Sequence, residues 1–323
     1  MNYPPYQKRQ QGLTLVEIMV AITISLILLA GVVQIFVGNK QSYRLTEELS
    51  RMQENGRFAM DHIAREIRMA AFWGCTNISV DPNITITNNL NPPNPPTTPA
   101  NHPVDPSTSG VDGTDNSGLN DSDTLILQGA YGEGLGIETH NVSAASFNVT
   151  TVNHGLNERD VVIATDCRKA DVFEITNANS GTNNTIVANL GNNDPGFGNA
   201  TIPGLEYNDS GTIYRIKSVT YAIQTGASGE PALFRNENGN NVELVEGVQD
   251  MQILFGVDSD PTDNNQIATI YQSASSVTNM NDVVSVRITL TLSTLNDLHR
   301  SDGTFGRITR TYTSTTSIRN RLI

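Results

Sequence analysis

From Leu13 to Gly38 the chain runs LTLVEIMVAITISLILLAGVVQIFVG, 26 residues with a single charge and no Pro. At roughly 1.5 Å per residue such a helix spans about 39 Å, enough to cross a hydrocarbon core of about 30 Å. The pattern then changes without breaking. Apolar residues recur at Leu45, Leu49, Met52, Ala59, Ile63, Ile67 and Ala70, three or four apart, with Gly56 at the missing step. That is one stripe of an amphipathic helix. Charges fill the opposite face, and Arg44–Glu48, Glu47–Arg51 and Asp61–Arg65 are spaced to pair at i,i+4. Gly74 supplies a stop. The pattern predicts one helix of about 55–60 residues ending near Trp73. Its second half should pack on the chain's own domain, whereas its first half has no obvious partner.

After Cys75 the period shortens to short β segments separated by Asn, Gly, Pro and Ser turns. Residues 81–122 contain PPNPP and DGTDNSGLNDSD and read as a long surface excursion. Strands are predicted at 124–128, 145–152, 160–165, 172–176 and 185–190. Further strands are predicted at 212–224, 232–236, 251–258, 283–292 and 308–318. Val284, Val286, Ile288, Leu290 and Leu292 alternate cleanly, which predicts an antiparallel sheet with one wet side. The fold class is α+β, with the long N-terminal helix laid across the sheet and long loops at 81–122 and 177–211.

Length and charge narrow the function. The 323 residues suffice for one large domain or two small ones. Charged residues make up 16% and the formal net charge is -13. Removing residues 1–12 would take Lys8 and Arg9 and no acid, leaving -13 - 2 = -15. So acidic a chain has no basic footprint for nucleic acid. Cys75 and Cys167 are too few for a zinc site; in an oxidising compartment they could form one bridge, and otherwise they stay as buried thiols. The histidines, His62, His102, His140, His154 and His299, are dispersed with no metal-binding spacing, and no nucleophile or phosphate-binding motif occurs. The run Gly129–Gly136 lacks the Lys and the helix that phosphate binding needs. The acidic runs Asp112–Asp123 and Asp258–Asp263 do not fit an EF-hand. These features point away from an enzyme and from a cofactor.

Residues 1–12, MNYPPYQKRQQG, are polar and basic and end in Gly. Lys8 and Arg9 should hold this leader in the cytoplasm and place the C-terminal domain across the membrane. A secretory signal peptide would have a shorter apolar core with a small-residue cut site after it. Here the small residue, Gly12, comes before the core. A plain anchor leaves Glu17 unexplained, since a carboxylate one turn into an apolar span costs a few kcal/mol and is usually paired or functional. Cleavage after Gly12 would put a new α-amino group on Leu13, four residues before Glu17, able to neutralise it in the same chain or a neighbour.

The segment G12-L13-T14-L15-V16-E17 resembles the class III signal of type IV prepilins. In that family a prepilin peptidase cuts after the Gly and methylates the new terminus, here Leu13 in place of the more usual Phe. A second resemblance rests on A-F-W-G-C, D-C-R-K-A-D-V-F-E-I-T, A-L-F-R-N…V-E-L-V-E-G-V-Q-D-M-Q-I-L-F-G-V-D and S-I-R-N-R, which are similar to blocks of PilW-type minor pilins. It implies a pilin-like fold and a Cys75–Cys167 disulfide. It also implies a low-copy subunit that helps initiate or cap a type IV pilus. Its partners would be other minor pilins, the major pilin, a tip adhesin and the inner-membrane assembly platform. The chain would sit in the inner membrane with its C-terminal domain in the periplasm, then in the pilus. The implied division is leader 1–12, membrane and filament-core helix 13–38, amphipathic continuation 39–74 and β-rich domain 75–323. A minor pseudopilin of a type II secretion system uses the same signal, and a tip subunit that binds a ligand is the third reading.

Overall fold

The computed structural model describes residues 14–75, 85–90, 110–190, 198–207, 210–260, 265–299 and 304–321. A single helix, α1 (Leu15–Met69, 55 residues), opens them. The strands that follow are β1 (Thr85–Asn88), β2 (Val111–Thr114), β3 (Thr124–Asn141), β4 (Ser146–Val149), β5 (Val161–Thr165), β6 (Lys169–Glu174), β7 (Asn177–Ala178) and β8 (Thr185–Val187). Then come β9 (Thr212–Thr225), β10 (Pro231–Glu237), β11 (Asn240–Glu246), β12 (Val248–Val257), β13 (Ile270–Gln272), β14 (Val283–Ser293), β15 (Leu298–His299), β16 (Phe305–Gly306) and β17 (Thr309–Ser317). This is the α+β class expected. Each predicted strand has a counterpart.

Two compact units share the chain: residues 1–51 with 296–307, and residues 52–295 with 308–323. In the first, α1 presents its apolar side chains to solvent, with Leu15 74%, Ile27 73% and Phe36 68% exposed. Asn296 donates to Glu48 Oε1 at 2.7 Å, beside the small hairpin of β15 and β16. Glu48 thus answers Asn296, and among the described residues neither Arg44–Glu48 nor Asp61–Arg65 closes to a salt bridge. Exposed i,i+4 pairs bring only a few tenths of a kcal/mol, too little to hold two long side chains.

The second unit holds both larger sheets. In one, the order β1-β6-β5-β9-β3-β4-β8-β7 is extended by β10 and β11 beside β9 and by β2 on β3; the pairing is antiparallel except that β1 runs parallel to β6. Val162, Ala164 and Phe173 lie in one apolar cluster, while Ile163, Ala170 and Val172 lie in another with Trp73 and Ile216. Both faces of β5 and β6 are therefore covered, so their sequences run apolar rather than alternating. The other sheet has the order β13-β12-β14-β17. Val284, Val286, Ile288, Leu290 and Leu292 are buried as the alternation required. The opposite face is wet, where Thr289 meets Thr313 at 3.1 Å and Thr291 meets Thr311 at 3.4 Å.

Two expectations are corrected. The segment 81–122 is not all excursion, because β1 and β2 lie within it and Val111 and Asn89 are buried. Pro density masked a four-residue parallel strand and a four-residue edge that no periodicity could reveal. The helix also stops at Met69, five residues before Gly74. Ala71 adopts φ 59° and donates its N–H to Gln128 O at 2.9 Å, and Phe72 O accepts from Ala130 N at 2.6 Å. The chain leaves the helix early to pair with β3, so sheet hydrogen bonds outweigh continued helix.

Candidate functional site

The first turn of α1 carries Glu17, the one charge in the apolar run. Thr14 stands at the N-cap, and its backbone N–H and its Oγ1 both lie 2.9 Å from Glu17 Oε2. Glu17 N returns a bond to Thr14 Oγ1 at 3.3 Å. This is a reciprocal capping box, in which Thr and Glu satisfy amide groups that a helix start leaves orphaned. The T-x-x-E spacing of this box is already written in the sequence. Oε1 has no partner among the described residues. Gly12 and Leu13 lie outside them, and so does His102.

Beyond residue 51 the same helix docks in the second unit. Met52, Gly56, Ala59, Ile63 and Ile67 are its buried stripe, each isoleucine contributing roughly 1.5–3 kcal/mol by its burial. Glu66 fixes the rotation of this stripe. Its Oε2 accepts from Lys217 Nζ at 2.7 Å and its Oε1 from Arg235 Nη2 at 3.4 Å, and Arg235 also pairs with Glu237. One turn earlier His62 Nδ1 lies 3.0 Å from Tyr221 Oη. Burial, then the nearby Arg235, depresses the His62 pKa and keeps the ring neutral. Sequence reading placed no role on Glu66, Lys217 or Arg235, because they meet only after a separation of some 150 residues or more.

The closing S-I-R-N-R block secures the far end. Asn320 Nδ2 caps the carbonyls of Met69 and Ala70, at 3.3 and 3.0 Å. Arg321 is buried and gives Nη1 to the carbonyls of Met280, Asn281 and Val283, at 2.6, 3.0 and 2.6 Å. Burial pulls its guanidinium down to about 10. Cys75 and Cys167 are joined, with Cα atoms 4.7 Å apart and a sequence separation of 92. The bridge ties the helix exit to the β5–β6 turn.

Several other acidic and histidine candidates make contacts within the fold, while Asp263 lies outside the described residues. Asp115 accepts from the backbone of Ala274 and Ser275, and Asp123 accepts from Asn116 N and Ile253 N. His140 stacks on Phe147 at 3.9 Å, while His154 Nδ1 accepts from Leu156 N. The backbone of His299 lies in β15. Among the described residues no three His, Cys, Asp or Glu side chains group closely enough to hold a metal ion.

An exposed apolar helix, capped by Thr14 and Glu17 and running on into a mostly antiparallel β domain, defines a pilin-like α+β protein. The family described as "Prokaryotic N-terminal methylation motif" matches residues 7–33, and that described as "Type IV Pilus-assembly protein W" matches residues 220–321. Together these matches support a PilW-type pilin, a minor pilin of a type IV pilus. The first match contains the capping box, and the second runs from β9 through the Arg321 latch. No curated protein and no solved structure matches the chain. Pilin families are structural rather than catalytic, and a type IV pilin family implies contacts with other pilins and the pilus machinery. The prepilin signal and the long apolar helix fit anchoring in an inner membrane.

Proposed function

We propose that this chain is a minor pilin that primes assembly of a type IV pilus and sits at or near its tip. Residues 1–12 are the leader, removed by a prepilin peptidase after Gly12, and Leu13 becomes the methylated amino terminus. Segment 13–38 crosses the inner membrane and later joins the filament core. Segment 39–74 leads into the β-rich domain of 75–323, held in the periplasm before assembly. Other minor pilins, the major pilin, a tip adhesin and the assembly platform are its partners.

The observation that carries this reading is the Thr14–Glu17 cap at the head of a helix whose apolar first half is exposed. In the capped form Glu17 already accepts from the Thr14 amide. The new amino group at Leu13, one residue earlier, brings a positive charge next to the carboxylate. In a medium of low dielectric that pairing is worth far more than in water, so it selects the processed chain for insertion beside a neighbour.

The test is a count of surface pili in a deletion strain, with and without retraction disabled, complemented by wild type or Glu17→Ala. Pili should vanish on deletion, return with wild type but not with Glu17→Ala, and recover when retraction is blocked. Normal pili with a defect in protein secretion would instead assign the chain to a type II secretion system as a minor pseudopilin.

A further inference from the structure

Among the described residues, the outer edge of β17 carries a row of unused backbone hydrogen-bonding groups. Thr294 N donates to Ile308 O, Ile318 N donates to Val284 O, and the β14–β17 register between these points has no shift. Hydrogen-bonded and non-bonded positions alternate along an antiparallel pair. Arg310, Tyr312, Ser314 and Thr316 therefore turn their amides and carbonyls toward β14. Those of Thr311, Thr313 and Thr315 point away from the sheet. Among the described residues no strand pairs with them. The edge is nine residues long, without Pro or bulge, and Arg310 is its single charge. Folded proteins usually protect such an edge with charge, a bulge or a cover.

This edge borders a groove of about 350 Å³, across which Arg57, Met60 and Asp61 of α1 face Arg310, Tyr312 and Thr313. The hydroxyl of Tyr312 is buried there without a hydrogen-bond partner among the described residues. Neither Arg57 nor Arg310 has an ion-pair partner among the described residues, and against Asp61 they leave the groove one positive charge in excess. A helix alongside an open edge strand is the geometry of strand addition, in which main-chain bonds give affinity and alternate side chains give specificity.

We propose that this groove receives a β-strand from a second protein chain, an extended segment with an acidic side chain facing Arg57 and Arg310. A row of alternating N–H and C=O groups matches an extended backbone and neither a helix nor a glycan. The excess positive charge selects for a carboxylate. Side chains on the other face of the added strand would continue the hydroxyl rows of Thr289–Thr313 and Thr291–Thr311.

The test is a photoreactive benzoylphenylalanine in place of Thr313 in the full-length chain, illuminated in cells and in sheared surface material. The result expected is an adduct with one polypeptide whose peptide map places the link in an extended acidic segment. Arg57→Glu with Arg310→Glu, both exposed enough to leave the fold intact, should lower the adduct at least tenfold. An adduct mapped to a helix or a basic segment would overturn the proposal, as would one indifferent to the charge reversal. So would no adduct from a chain present at its normal level. The readout counts no pili, so it succeeds or fails independently of the assembly role.

Discussion

Gly56 of α1 passes directly beneath the ring of Tyr312 on β17: a Cβ built at Gly56 would lie 2.7 Å from two ring carbons. The helix can approach the four-stranded sheet this closely only because position 56 has no side chain. Intrinsic helix propensity favours Ala over Gly by about 1 kcal/mol. Overpacking costs roughly 1–3 kcal/mol and should win. Gly56→Val should therefore destabilise the detergent-solubilised chain by about 2 kcal/mol in denaturant unfolding. Tyr312→Ala should relieve part of that loss, since residues in contact are not additive.

Glu66 holds the same helix in rotation through Lys217 and Arg235. All three side chains are largely covered, so removing the carboxylate strands two partly buried cations. Glu66→Ala should cost about 2–3 kcal/mol. Glu66→Met with Lys217→Met should cost less than the single change, because replacing both partners avoids the stranded charge of Lys217. Equal losses in the single and double variants, measured by chemical denaturation, would remove the ion pair from this account.

The disulfide should matter more than any one packing contact. Opening a loop of sequence separation 92 restores denatured-chain entropy worth about 4.6 kcal/mol on the loop-closure estimate. Cys75→Ser with Cys167→Ser should lower the unfolding midpoint accordingly. It should also speed amide exchange at Ala71 and Ala130, where the helix exit pairs with β3.

Acid should loosen the β domain. Burial depresses the pKa of His62, His140 and His154. Below about 6.5 the unfolded chain takes up protons that the folded chain refuses, so stability falls as pH drops through that range. Asp171, raised by burial, acts in the opposite sense. Unfolding midpoints at pH 7.5 and 5.5 should show a decrease, and His140→Phe, which keeps the stack on Phe147, should reduce it. A midpoint unchanged between the two pH values would contradict this balance.

Much of this architecture was legible because periodicity reports burial. The stripe from Met52 to Ile67 and the alternation from Val284 to Leu292 each named the face that the structure buries. What stayed hidden depends on distant parts of the chain. Ala71 ends the helix because Gln128 and Gly110 meet it there, and no local signal marks an alanine for φ 59°. Glu66 looked like one more solvated charge until Lys217 and Arg235 arrived from β9 and β10. At the N-terminal site Glu17 stood out by cost alone. Thr14 was equally visible as its capping partner, but a hydroxyl in an apolar run carries no such warning.

Entry of the processed chain into a filament through its first helix can be read from the N-terminal mass of the chain recovered from sheared pili. The result expected is a low-abundance subunit whose first peptide begins at N-methylated Leu13. A chain confined to the membrane fraction, or one whose first peptide still contains residues 1–12, would contradict it.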